Sequence, residues 1–115
     1  MGKNLNITVL PKNSEISVMS IEGNIDINSS PELREYILVL IKKKVPVIMI
    51  NLSEVRYMDS SGLATFLESL KNVRKYQGKF ILFNLQSLVK SVFEMTKLDK
   101  IFEIYENEKI AFENV

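Results

Sequence analysis

Residues 45–63 read Val45-Pro46-Val47-Ile48-Met49-Ile50-Asn51-Leu52-Ser53-Glu54-Val55-Arg56-Tyr57-Met58-Asp59-Ser60-Ser61-Gly62-Leu63, and the reading of this stretch decides the fold. Val45 to Ile50 is a short apolar run rich in β-branched residues, the pattern of a buried strand. That strand, near residues 46–52, is apolar on both faces, as in a sheet with helices on both sides. After Gly62 the apolar residues Leu63, Phe66, Leu67, Leu70 and Val73 recur at the spacing of one helix face. Asp59, Ser60 and Ser61 fall where the helix begins, and each can accept a hydrogen bond from the free N–H groups of a first turn. By itself, Asp-Ser-Ser-Gly reads as a helix cap followed by a small residue.

Working outward, the pattern repeats. Leu5, Ile7 and Val9 alternate with polar residues, Pro11-Lys12-Asn13-Ser14 breaks the run, and Ile16 and Val18 resume it. Two strands in a hairpin at one sheet edge are predicted. Gly23 ends the second strand, and Asn24 to Ser30 form a polar loop. Ser30-Pro31-Glu32 supplies a cap, a proline at the first helical position and an early acid. Leu33, Tyr36, Ile37, Leu40 and Ile41 then mark a first helix, with Leu38 and Val39 widening its core face. The second helix spans about Ser61 to Tyr76 and stops at Gln77-Gly78, a glycine stop. Phe80 to Phe83 is a buried strand. A third helix, about Leu88 to Thr96, buries Leu88, Val89, Val92, Phe93 and Met95. Ile101 and Phe102 begin a short strand, and Glu108 to Glu113 make a final helical turn or two. The order ββαβαβαβα predicts an α/β fold: a mixed sheet of four to five strands with about four helices and right-handed crossovers.

Composition narrows the function. The 115 residues fit one domain spanning 1–115, since a second core would need roughly 50 residues of its own. With 15 basic and 14 acidic residues there is no net field to attract nucleic acid or an anionic membrane. Lys42-Lys43-Lys44 reads as cations placed at a helix C-terminus. No apolar run nears the ~20 residues of a membrane span, and Met1-Gly2-Lys3-Asn4 lacks the apolar core of a signal peptide. Cysteine is absent, which fits a cytoplasmic location. Histidine is absent too, so a Ser-His-Asp triad cannot be built, and zinc loses both favoured ligands. The four glycines are scattered and no Gly-Lys-Ser/Thr occurs, so no P-loop and no cofactor is expected. A receiver-like domain fails on its metal site, because the first strand ends in Leu10-Pro11-Lys12-Asn13 without an acid. Any phosphate on this chain must come from another protein.

Met58-Asp59-Ser60-Ser61-Gly62-Leu63 resembles the phosphorylation motif of STAS-domain anti-anti-sigma factors, also called anti-sigma factor antagonists. Gly23-Asn24-Ile25-Asp26 looks like the Gly-x-Leu/Ile-Asp that follows that family's second strand. Phe80-Ile81-Leu82-Phe83-Asn84-Leu85, with Val89, Val92, Phe93, Leu98, Ile101 and Phe102, looks like its last helix-strand segment. The likeness covers nearly the whole chain. Asn24 stands where the family often has an acid, and Ala64 where a second glycine is common.

The resemblance implies a protein that is not an enzyme. Its unphosphorylated form binds an anti-sigma factor that is also a serine kinase and so frees a sigma factor. Phosphorylation of Ser60 by that kinase ends the complex, and a metal-dependent serine phosphatase restores it. Asp59, Ser61 and Gly62 would frame the acceptor, and the loop carrying Gly23, Asp26 and Ser29 would make a second contact. Asp26 reads equally as a turn-forming aspartate before a helix. Gly62 has no propensity reason to be near a helix start. Either a partner's backbone or a neighbouring strand comes close to it. Two rivals remain: a STAS module of another signalling or transport assembly without a phospho-switch, and a small serine-dependent enzyme using Ser60.

Overall fold

The computed structural model describes residues 5–115; the Met1 to Asn4 start, read above as lacking a leader's apolar core, lies outside them. Strands β1 (Leu5–Pro11) and β2 (Ile16–Gly23) form the expected hairpin. Helix α1 (Ser30–Lys42) leads to β3 (Val47–Glu54), and α2 (Ser60–Arg74) to β4 (Lys79–Phe83). Helix α3 (Ser87–Met95) reaches β5 (Glu103–Tyr105) through a 3₁₀ turn at Leu98–Lys100, and α4 (Glu108–Glu113) follows. The order ββαβαβαβα holds. The five strands lie in sequence order across the sheet, β1 antiparallel to β2 and the other pairs parallel.

Each crossover therefore steps to the next strand in one direction. Connections of one hand then place α1, α2 and α3 on the same face. Leu33 and Ile37 of α1, Phe66 and Leu70 of α2, and Val89 and Phe93 of α3 meet Met19, Ile21, Ile48, Ile50, Leu52 and Leu82 there. Phe66, Phe80, Phe102 and Phe93 form a run of tilted and edge-on rings that ties α2, β4 and α3 together. The other face is covered unequally. Ala111 and Phe112 of α4 pack on the apolar end, with Ile16, Val18, Met49, Ile81 and Phe83. Its polar end carries Asn6, Thr8, Ser20, Glu22, Asn51 and Ser53 around a shallow groove.

Several expectations need correction. Val39 (52% exposed), Leu88 (62%) and Met95 (81%) are not core. Val39 falls on the outer side of α1, while α3 at the sheet margin has only one covered side, formed by Val89 and Phe93. β5 starts at Glu103 rather than Ile101, because Leu98–Lys100 and the residues after it are still turning. Ser30 is the first residue of α1 rather than its cap; Ser29 takes that position, and its hydroxyl is used elsewhere. The stop after α2 also works differently. Gln77, not Gly78, adopts the left-handed conformation (φ 63°). Gly78 is needed for space, since a Cβ there would come within 2.8 Å of Val73 and Tyr76 side-chain atoms.

Candidate functional site

The candidate site assembles where β2 and β3 end. Gly23 leaves β2 with φ 128°, a value that L side chains rarely adopt, and so turns the chain outward. Ile25 then runs beside Met58 as an isolated parallel bridge: its N–H donates to the Tyr57 carbonyl (3.0 Å), and its carbonyl accepts from the Asp59 N–H (3.1 Å). The Ile25 side chain is fully buried. Two segments far apart in the chain are thus joined side by side, and the loop after β2 borders the start of α2.

Within the loop, Asp26 and Ser29 are occupied with each other. The Asp26 carboxylate accepts from the Asn28 N–H (2.9 Å) and the Ser29 N–H (3.1 Å), an Asx turn. The Ser29 hydroxyl donates to the Asn24 carbonyl (2.7 Å) and accepts from the Asp26 N–H (3.0 Å). Ser29 is buried, so it shapes the loop from beneath and offers no surface of its own. Asp26 is half-buried and serves the turn that sequence alone could not distinguish from a contact.

At the start of α2, Asp59 is the N-cap. Its Oδ1 accepts from the Ser61 N–H (2.9 Å) and from the Ser61 hydroxyl (2.6 Å). The Ser61 hydroxyl bond holds the carboxyl below its ordinary range; burial opposes this, and the N–H groups of Ser61, Gly62 and Ile27 reinforce it. Ser61 is therefore engaged. Ser60, the first helical residue, is exposed, and its hydroxyl makes no hydrogen bond among the described residues. Asp59 does not reach Ser60 as a base, and a carboxylate of depressed pKa is a poor one.

Gly62 is buried. A Cβ there would lie 2.7 Å from Ile25 Cγ2 and 2.8 Å from Met58 Cγ. Packing inside the molecule is sufficient reason for a glycine here. It lets α2 press on the bridge that holds the loop. Two large apolar side chains on the segments joined here, Ile27 and Tyr57, are left 73% and 46% exposed, and neither was singled out from the sequence. The one available signal was apolar residues inside otherwise polar segments, Asn24 to Ser30 and Arg56 to Ser61.

Residues 8–111 match the STAS domain, and the arrangement of a Ser-bearing helix start against the loop after β2 lies wholly within that span. The chain belongs to the STAS-domain family of anti-sigma factor antagonists. It is 37% identical over 101 residues to the anti-sigma-B factor antagonist of Bacillus subtilis, covering 88% of this chain and 91% of that one. The anti-sigma-B factor antagonist of Listeria monocytogenes is 34% identical, with 88% and 89% covered. The crystal structure of an anti-sigma factor antagonist from Mycobacterium paratuberculosis superposes with a TM-score of 0.87 at 26% identity, covering 96% of this chain and 93% of that one. In this STAS domain, no helix among the described residues is long and apolar enough to cross a membrane.

Proposed function

We propose that this STAS protein is a cytoplasmic phospho-switch in which Ser60 decides whether an anti-sigma factor is bound. Unphosphorylated, it binds an anti-sigma factor with serine kinase activity and so releases the sigma factor. The kinase transfers the γ-phosphoryl group of its ATP to Ser60 Oγ; the O–H proton passes to a base on the kinase, and ADP leaves. A metal-dependent serine phosphatase returns the hydroxyl with water, releasing inorganic phosphate. The protein itself performs no chemistry.

The observation that carries this reading is the contrast between two adjacent hydroxyls. Ser60 is exposed and unengaged, while Ser61 is held by Asp59 at 2.6 Å. A phosphate on Ser60 would carry about −1.5 to −2 charges next to the positive end of α2, where a helix tolerates an anion. Asp59, Ser61 and Gly62 frame the acceptor by capping, hydrogen bonding and close packing. Gly23, Asp26 and Ser29 hold the neighbouring loop that the partner also touches. The test is labelling with ATP and the cognate kinase, followed by phosphopeptide mapping. Ser60→Ala should abolish labelling and Ser61→Ala should leave it detectable; phosphate mapped to Ser61 would sink the assignment.

A further inference from the structure

Two large apolar side chains stand in solvent on the segments that border Ser60, Ile27 at 73% exposure and Tyr57 at 46%. A single exposed apolar residue is ordinary on a protein surface. These two are different because both are fixed. Ile27 lies inside the turn that the Asp26 carboxylate closes by accepting from the Asn28 and Ser29 N–H groups. Tyr57 has its carbonyl bound to the Ile25 N–H, directly before the bridge residue Met58. Side chains on a rigid frame lose little backbone freedom when a partner covers them.

Resting on the Ser60 switch proposed above, we infer that Ile27 and Tyr57 are the apolar anchors on which the kinase partner seats, each entering an apolar recess beside the kinase's active-site cleft. The occupant follows from position. Whatever brings a catalytic cleft to Ser60 Oγ must also cover the segments that carry Ile27 and Tyr57. Seated anchors exclude water from the surface between them, as the contacts around an interface hot spot do. A phosphate on Ser60 is then trapped in a dry ring, where an uncompensated charge is costly. The anchors thus set two quantities together: the affinity of the unphosphorylated protein and the ratio by which phosphorylation lowers it.

The experiment titrates the full chain, Ile27→Ala, Tyr57→Ala and the double variant against the kinase, each in unphosphorylated and Ser60-phosphorylated form. Each single change should weaken unphosphorylated binding about tenfold, the loss typical of an interface anchor. The double variant should also narrow the ratio between the two forms. Melting temperatures should stay at the wild-type value, because neither side chain is in the core. Wild-type affinity and an unchanged ratio in the variants, with the wild type still phosphorylated on Ser60, overturn the inference and leave the switch standing. A wild type that neither binds nor accepts phosphate overturns the switch itself, and the inference with it. Sedimentation of the protein alone closes the remaining route: a wild-type dimer lost in the double variant would assign these anchors to a second copy of the chain.

Discussion

Asp59 gives the residue scale its sharpest test, because one carboxylate caps α2 and also immobilises the neighbouring serine. Its folded pKa lies below the ordinary aspartate value of about 3.9, so its charge stabilises the fold fully above that value. The contribution is lost as pH falls through the lower, folded pKa. Asp59→Asn keeps the shape and removes the charge. At neutral pH it should cost ~0.3–1 kcal/mol, the range for an anion at an exposed helix start. Melting both proteins from neutral to strongly acidic pH should show the gap closing at the acid end, and a gap that ignores pH would rule out the charge as its source. Ser60 and its cap were legible in the sequence because capping depends on neighbours one or two positions away. The burial of Ser29 and the exposure of Ile27 were not, since the turn closed by Asp26 carries the one side chain inward and leaves the other in solvent.

Elements were legible where their pattern is long and one-sided. The stripe from Leu63 to Val73 and the alternation of β1 fix themselves, and both stand as read; β2 forms the expected hairpin strand but is buried on both faces, with Met19 and Ile21 toward the helices and Ile16 and Val18 toward α4. Exposure at the sheet margin depends on what lies above it, and no local pattern records that; Leu88 and Met95 are apolar yet face water. Contacts between elements are legible least of all. Gly62 is the case in point, since its reason is the side chain of Ile25, a residue from another connection. Gly62→Ala tests this packing. The new methyl meets a β-branched side chain whose backbone is bonded on both sides to the α2 entry, so it cannot move away cheaply. Overpacking of this kind costs ~1–3 kcal/mol, against ~1 kcal/mol regained in helix propensity. A melting temperature lower by several degrees is the expected result, read by calorimetry. An unchanged melt with weakened kinase binding would instead place a partner's backbone against this glycine.

At the scale of the whole molecule, phosphorylation of Ser60 should act on the interface and leave the fold alone. The Ser60 hydroxyl makes no hydrogen bond among the described residues, and a helix start tolerates a dianion. Thermal melts of the two forms should agree to within ~1 kcal/mol, the size of a favourable charge–dipole contact. Partner titrations should differ by tenfold or more, since 1.4 kcal/mol of lost affinity suffices for each factor of ten and burying the charge costs about several. A phosphorylated form that melted much lower, with backbone spectra altered throughout, would replace this electrostatic switch with a conformational one. The Ile25–Met58 bridge carries one more consequence, and it concerns time. The surface around Ser60 is built where β2 and β3 end, and the bridge extends the parallel pairing of those two strands, which α1 connects. Under the switch proposed above, a chain whose strands have yet to pair would present the serine without its loop, so binding would follow folding.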